Sequence, residues 1–358
     1  MRETATARVV NDVLTPLEKA TSREGLASLA SRLAEVRLWL AEDLKALETA
    51  LAGIMPEEGH LAHRAAAHLL ERPGKRVRPM CVYLAAQCGA PNAEDSEAIR
   101  LLAVSAELVH AATLLHDDVI DHGMDRRGAP TARVMYGNAA SVLGGDHLLI
   151  EALDRVRRVE RPQLLADLLG VIGEMVAGEA LQLERRGRFE PDPEVYNQVV
   201  TAKTAALFRW AMMAGATMGG LTPEQVRSLG IAGECLGVAF QLVDDALDLA
   251  GDPAVLGKDG LLDLREGKLT WPLIVACERD PGLQTLLTTI AHDPSLLDDP
   301  ARCERLRRRL LETGCIEATQ ARAKVLADQA RSVLSTLPPS AAREALVTVV
   351  AVCIDRTL

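Results

Sequence analysis

Three observations in the sequence predict an all-α fold built as a single catalytic unit. Its 358 residues are 48% apolar but only 3% aromatic. The apolar positions, mostly Leu, Ala and Val, recur at three- and four-residue steps, the period of helices and not of strands. Length alone suits about two domains. The polar motifs, however, run through residues 75 to 268 with no linker or low-complexity tract between them, so one unit is expected.

Residues 1–36 hold a short helix candidate, and Thr21-Ser22-Arg23-Glu24 fits a capping box. Beyond it Leu26, Leu29, Leu33, Val36, Leu40, Leu44, Leu47 and Leu51 predict one amphipathic helix with a continuous apolar stripe, suited to a core or subunit contact. Pro56 to Gly59 breaks the pattern, and a second helix reaches Leu70. Pro73-Gly74-Lys75-Arg76-Val77-Arg78-Pro79 then forms a basic turn whose last proline suits the start of the next helix. Three cations in four residues could be a solvated turn. Pro and Gly, however, restrict the backbone so that Lys75 and Arg78 can act as a phosphate clamp.

A long helix is expected from about Glu94 to Ile120, then a loop from Gly123 to Gly137, then a helix beginning near Ala139. Gly178, Glu179 and Gln182 share a further helix, and after the Gly187–Pro193 turn Asp192 and Pro193 suit the N-cap and first helical position. Lys203-Thr204 sits in the middle of a long apolar helix, where a lysine either snorkels to the surface or serves an anion. The adjacent hydroxyl favours the anion. Gly251 to Gly260 reads as a loop bearing Lys258, and Asp263 to Lys268 leads into another helix. The rest is helical, with breaks at Pro294–Pro300 and Pro338-Pro339.

The chemistry centres on Leu114-Leu115-His116-Asp117-Asp118-Val119-Ile120-Asp121, an apolar run ending in three acids. On a helix Asp117 and Asp121 stack on one face, with Asp118 a step round. Phe240 to Asp248 repeats the pattern, with acids at Asp244, Asp245 and Asp248. One such trio would be the solvated face of a surface helix. Identical spacing in two greasy segments argues for a pair facing one another across a cavity. Carboxylate oxygens without shared His or Cys suit Mg²⁺, which completes its octahedron with water and substrate phosphate. His110 lies two turns before Asp117 on the same face, in reach of a diphosphate bound there.

A net charge of −10 argues against a nucleic-acid partner, which would need a broad basic surface. No uncharged apolar run approaches the ~18–20 residues of a membrane span, and Met1-Arg2-Glu3-Thr4 carries no signal-peptide core. Seven Cys scattered singly match neither a metal site nor a disulfide set, and are read as reduced thiols of a cytoplasmic protein.

With these motifs in order, the chain resembles the trans-isoprenyl (polyprenyl) diphosphate synthases from about residue 37 to its end. The resemblance rests on Gly74 to Pro79, His110 to Asp121, Arg126-Arg127-Gly128, Gly144 to Leu148, Gly178 to Gln182, Lys203-Thr204, Gln241 to Asp248 and Gly257 to Lys268. Pro73 departs from it, standing where the family usually has Gly. The resemblance implies two segments: an N-terminal extension, residues 1–36, and a catalytic domain, residues 37–358, of long, mostly antiparallel helices around a central cavity. A homodimer is implied as well.

It also implies roles. Lys75, Arg78, His110 and Arg127 would hold isopentenyl diphosphate. Arg126, Lys203, Thr204, Gln241, Lys258 and Lys268 would surround the allylic diphosphate. Asp117, Asp121 and Asp244 would carry Mg²⁺, supported by Asp118, Asp245 and Asp248. The reaction implied is head-to-tail condensation, in which developing diphosphate charge is stabilised by metal and fixed cations. Two alternatives are a class I terpene cyclase and a non-catalytic partner subunit. A cyclase needs aromatic walls for cation–π contact, and three each of Phe, Tyr and Trp make such walls sparse. A dead subunit should have lost acids or clamp cations, and none is missing. Family members that stop early have a bulky aromatic five residues before the first Asp, where this chain has Ala112, with Val109 further down. A product longer than farnesyl diphosphate is therefore expected.

Overall fold

The computed structural model of the chain describes residues 27–55, 59–72, 74–92, 95–126, 128–250 and 261–355, without the side chains of 27–30. The predicted leucine stripe forms two helices and not one, α1 (Ala27–Trp39) and α2 (Ala41–Ala52). They meet at Leu40, whose φ of −90° and ψ of 9° lie off the helical values. Hydrogen bonding continues through the bend, from Leu40 N to Val36 O at 3.0 Å and Leu44 N to Leu40 O at 2.8 Å. Leu33, Val36, Leu40, Leu44, Leu47 and Leu51 are all buried in one core, which thus includes residues on both sides of position 37. The capping box, Leu26, Pro73, Arg127 and the Lys258 loop lie outside the described residues.

Next come α3 (Leu61–Leu70), α4 (Val77–Gln87) and α5 (Ser96–Ile120). The expected loop after α5 contains a small antiparallel ladder, β1 (Asp125–Arg126) on β2 (Ala129–Pro130), and a short α6 (Ala132–Tyr136). Gly128, at φ 74°, supplies the left-handed residue that such a tight hairpin needs. Two long helices follow, α7 (Asn138–Arg158) and α8 (Pro162–Arg185), then α9 (Pro193–Val200), α10 (Ala206–Met218) and α11 (Pro223–Ala250). Asp192 caps α9 as expected, accepting from Glu194 N and Val195 N. Lys203-Thr204 does not sit in regular α-helix: Thr201–Ala205 is a π-helical turn between α9 and α10. The chain closes with α12 (Leu262–Arg265), α13 (Trp271–Arg279), α14 (Pro281–His292), α15 (Pro300–Glu312), α16 (Cys315–Leu334) and α17 (Ala341–Ile354).

Helix α5 packs along α7, while α10 packs on both α5 and α11, so α10 spaces the two acid-bearing helices. Both α5 and α11 are long and apolar enough to cross a membrane by length and composition. In each, 67% and 61% of the apolar window respectively is buried inside the protein, so they are the central helices of its core.

Candidate active site

The C-terminal ends of α5 and α11 present their acids to one cavity of about 1080 Å³. Asp117, Asp244 and Asp248 line it, as do Lys75, Arg78, His110, Arg126, Lys203, Thr204 and Gln241. Its apolar wall includes Val109, Leu149, Ile172, Met175 and Val176. A smaller cavity of about 140 Å³ adjoins it through Lys203, Thr204, Gln241 and Asp263, and also touches Asp245 and Lys268.

The basic turn is held by the one cation not counted as a clamp residue. Arg76, left-handed at φ 48° and 3% exposed, donates to Glu48 at 2.7 and 3.2 Å and to Glu107. A buried guanidinium with two carboxylates anchors the turn to α2 and α5 and leaves its neighbours for the cavity. Lys75 Nζ stands 4.0 Å from Asp244 and 5.2 Å from the centre of the Phe240 ring. Arg78 lies 4.5 Å over the Phe208 ring, its buried Nε without a hydrogen-bond partner. Burial lowers its pKa. An orphaned guanidinium nitrogen against a cavity wall suits an anionic guest.

The π-turn places Lys203 and Thr204 between the two acidic helices. Glycines let α8 and α11 approach it: a Cβ on Gly178 would come 2.8 Å from the Ala202 Cβ, and one on Gly237 2.5 Å from the Ala205 Cα. Lys203 Nζ is 3.7 Å from Asp117 and 3.0 Å from the Gln182 carbonyl, and pairs with Glu179. Thr204 donates to Gln241 Oε1 at 3.0 Å, and Gln241 donates to Asp245 at 2.8 Å. π-turns inside α-helices recur at functional sites because they re-aim side chains.

The acids divide by orientation. Burial raises the Asp117 carboxyl above its usual range, with Lys203 opposing and Glu179 and Asp121 adding to the rise. Asp118 is 2% exposed and accepts from Arg126 at 2.9 and 2.8 Å, away from the cavity. Asp245 accepts from Tyr196 at 2.7 Å and Gln241, and burial pushes its carboxyl up to about 6. These two therefore serve as anchors of the motifs and do not line the large cavity. Asp121 is also turned out of the cavity wall, onto Lys268 at 2.7 Å and Arg186. Asp248 stays at the wall, accepting from the backbone of Leu262 and Asp263 at 3.2 Å each.

Burial would lower the Lys268 ammonium, but Glu266 and Asp121 outweigh it and hold it above its ordinary range. Asp263 is raised well above normal by burial and by Asp248 and Asp245. Ala112, with no exposed surface, is absent from the cavity wall, whereas Val109 is on it. Position 112 is about 140° round the helix from Asp117, while Thr113 and Val109 share its face.

Among the described residues no three His, Cys, Asp or Glu side chains converge on one point. The donors nonetheless fit a hard divalent cation. Asp117 and Glu179 crowd one ammonium, and the buried oxygens of Glu179 make no hydrogen bond of sound geometry. An ion that takes one or two carboxylates plus substrate phosphates needs no complete protein cage.

Sequence reasoning noted Glu179, Gln182 and Asp263 as motif members without a role, and missed Glu48, Glu107, Tyr196 and Arg186. Nothing local marks Tyr196 or Arg186; only the tertiary fold brings them to the acids.

A helical cavity with acidic motifs on two helices, rimmed by Lys and Arg, defines an isoprenoid-synthase type of site. The family model of polyprenyl synthetase matches residues 60–304. Octaprenyl diphosphate synthase of Escherichia coli (strain K12) is 33% identical over 316 residues, 88% of this chain and 96% of that protein. Heptaprenyl diphosphate synthase component 2 of Geobacillus stearothermophilus is 32% identical, over 85% of this chain and 93% of that one. The crystal structure of polyprenyl synthase from Caulobacter crescentus CB15, complexed with calcium and isoprenyl diphosphate, superposes with a TM-score of 0.84 at 33% identity, covering 90% of this chain and 98% of its own. The chain belongs to the polyprenyl synthetase family, and it is a prenyltransferase.

Proposed function

We propose that this enzyme condenses isopentenyl diphosphate head to tail with an allylic prenyl diphosphate and extends the product beyond farnesyl length. The observation that carries the reading is the single cavity that joins both acidic motifs and the basic turn to a long apolar wall. The similar proteins named above include an octaprenyl and a heptaprenyl synthase.

Each group has a part in the chemistry. Lys75 and Arg78 hold isopentenyl diphosphate, with His110 beside them on the wall. Arg126, Lys203, Thr204 and Gln241 hold the allylic diphosphate, joined by Lys268 from the adjoining cavity. Lys203, fixed by Gln182 and Glu179, presents its ammonium where leaving-group charge develops, and such preorganised charge lowers the barrier. Asp117, Asp121 and Asp244 would hold Mg²⁺, which would supply Lewis-acid stabilisation to the departing diphosphate. The apolar wall excludes water, which would otherwise quench the allylic cation. The proton lost after carbon–carbon bond formation passes to the diphosphate held nearby.

The enzyme works as a cytoplasmic homodimer in this reading. Leu143 and Ile150 on α7, a seven-residue step apart, and Leu169 on α8 are exposed outside the cavity wall, between 51% and 64% each. Such exposed apolar residues suit a second copy.

The test is incubation of purified protein with isopentenyl diphosphate, Mg²⁺ and a series of allylic primers, with the products dephosphorylated and sized by chromatography. Polyprenols longer than farnesol are expected. No product from any primer, or arrest at farnesyl, overturns the reading.

A further inference from the structure

Within the first acidic motif, Asp117 faces the cavity and Asp121, one turn on, does not. Both Asp121 oxygens are taken by cations from other segments: Oδ1 by the Arg186 guanidinium, Oδ2 by Lys268 Nζ at 2.7 Å. Asp117 has Lys203 at 3.7 Å, an ammonium that also pairs with Glu179. The two acids expected to act together on a divalent cation are thus unequally neutralised. A carboxylate with a cation on each oxygen has fewer lone pairs and less unbalanced negative charge to offer a metal.

Arg186 is the partner placed to leave. Lys268 is also hydrogen-bonded to Glu266 at 2.6 Å, whereas the other hydrogen bond of the Arg186 side chain goes to the neutral Ile120 carbonyl at 3.3 Å and its attraction to Glu266 acts at longer range. Its Nε is buried without a hydrogen-bond partner, and its side chain is 28% exposed. The segment is held in place by backbone: Gly187 N donates to Gly267 O at 2.8 Å, which ties the end of α8 to the turn bearing Lys268. Gly267 has φ 71°, and a Cβ there would come 3.0 Å from Gly187 N and 3.1 Å from Arg186 Cγ, so the close approach depends on glycine.

We propose that Arg186 is a latch that competes with the divalent cation for Asp121. It holds the acid off the cavity until metal and diphosphate arrive together. The proposal rests on the reading above that Asp121 is a metal carboxylate of a prenyltransferase. Arg186 is a positioning residue here, acting through Asp121 and not on substrate. The latch makes metal binding weak on its own and strong with diphosphate, because only the pair returns to Asp121 and the nearby cations the charge balance they lose.

The test uses the full-length protein with Arg186→Gln, which removes the charge, and Arg186→Lys, which keeps it. Mg²⁺ is titrated calorimetrically in the absence and presence of inorganic diphosphate, and the Mg²⁺ dependence of turnover is measured alongside. Arg186→Gln should bind Mg²⁺ about fivefold more tightly without diphosphate, the scale expected when one partly screened ion pair is removed. The enhancement by diphosphate should shrink by the same factor, and Arg186→Lys should stay near the parent. Unchanged or weaker Mg²⁺ binding in Arg186→Gln, or equal tightening in both variants, overturns the latch. Calorimetry needs no turnover, so a parent enzyme that fails to elongate overturns the proposed function separately and leaves the latch readable.

Discussion

Replacing Val109 with Phe should shorten the product by at least one isoprene unit. Val109 lies two turns before Asp117 on the cavity wall. The substitution adds four carbons to the wall, against the five of one isoprene unit. Growth is strongly favoured while room remains, since each unit moves five carbons out of water at ~0.8 kcal/mol apiece, up to ~4 kcal/mol. Overpacking costs ~1–3 kcal/mol. Strain in the wall alone would therefore slow growth without ending it, and only a ring standing in the path can stop it. The assay is extension of farnesyl diphosphate with labelled isopentenyl diphosphate, sized after dephosphorylation. An unchanged distribution from a folded, active Val109→Phe would show that the growing chain does not pass Val109. Ala112→Phe is the companion. Buried at 0% exposure and off the cavity wall, its ring must displace core neighbours before it reaches the chain. It should lower the unfolding free energy by ~1–3 kcal/mol, and shorten the product less than Val109→Phe does.

Asp117→Ala and Asp244→Ala should each reduce turnover more than tenfold, over ~1.4 kcal/mol of transition-state stabilisation, with the helical circular dichroism intact; a milder loss would remove them from the metal set. Arg76→Ala should destabilise the fold by ~3–5 kcal/mol in chemical denaturation, because Glu107 is left buried without its guanidinium; a change under ~1 kcal/mol would show the network to be dispensable. Lys75→Ala should raise the Michaelis constant for isopentenyl diphosphate selectively, and an equal rise for the allylic substrate would make the basic turn a general field. Ile150→Glu should yield monomers in sedimentation velocity, since a charge would be buried where the exposed apolar residues of two copies meet; a persistent dimer would place the interface elsewhere.

What the sequence made legible was whatever repeats or punctuates. Period and spacing located the long helices, and the doubled acid trio located both ends of the cavity. Proline and glycine marked the basic turn and the α9 cap. Less was visible where a residue acts across distance. Leu40 bends the first stripe without leaving it, so hydrophobic periodicity continues through the break. The π-turn at Thr201–Ala205 inserts into a segment whose apolar pattern is helical on both sides. The expected loop at Gly123–Gly137 hides a ladder only two residues long on each side, too short for an alternating pattern to show.

The division of labour within each acidic trio depends on the same difference between local and distant information. Spacing places Asp117 over Asp121 on a helix face and says nothing of which cations reach them from elsewhere. In the folded chain Asp118 is taken by Arg126, eight residues on, and Asp245 by Tyr196, forty-nine residues back. Asp121 is taken by Lys268 from 147 residues away. The i+1 acid of each motif is thereby buried and paired, which fixes the helix end in rotation, and its neighbours Asp117 and Asp244 are left pointing into the cavity. A double acid at these positions is thus one structural and one chemical carboxylate. Exchanging Asp118 for Asn should loosen the Arg126 hairpin and lower thermal stability, whereas Asp117→Asn should leave stability unchanged or improved, since burial already disfavours the charged form of Asp117. Thermal melts of the two variants side by side decide it: equal destabilisation, or a loss confined to Asp117→Asn, would refute the division.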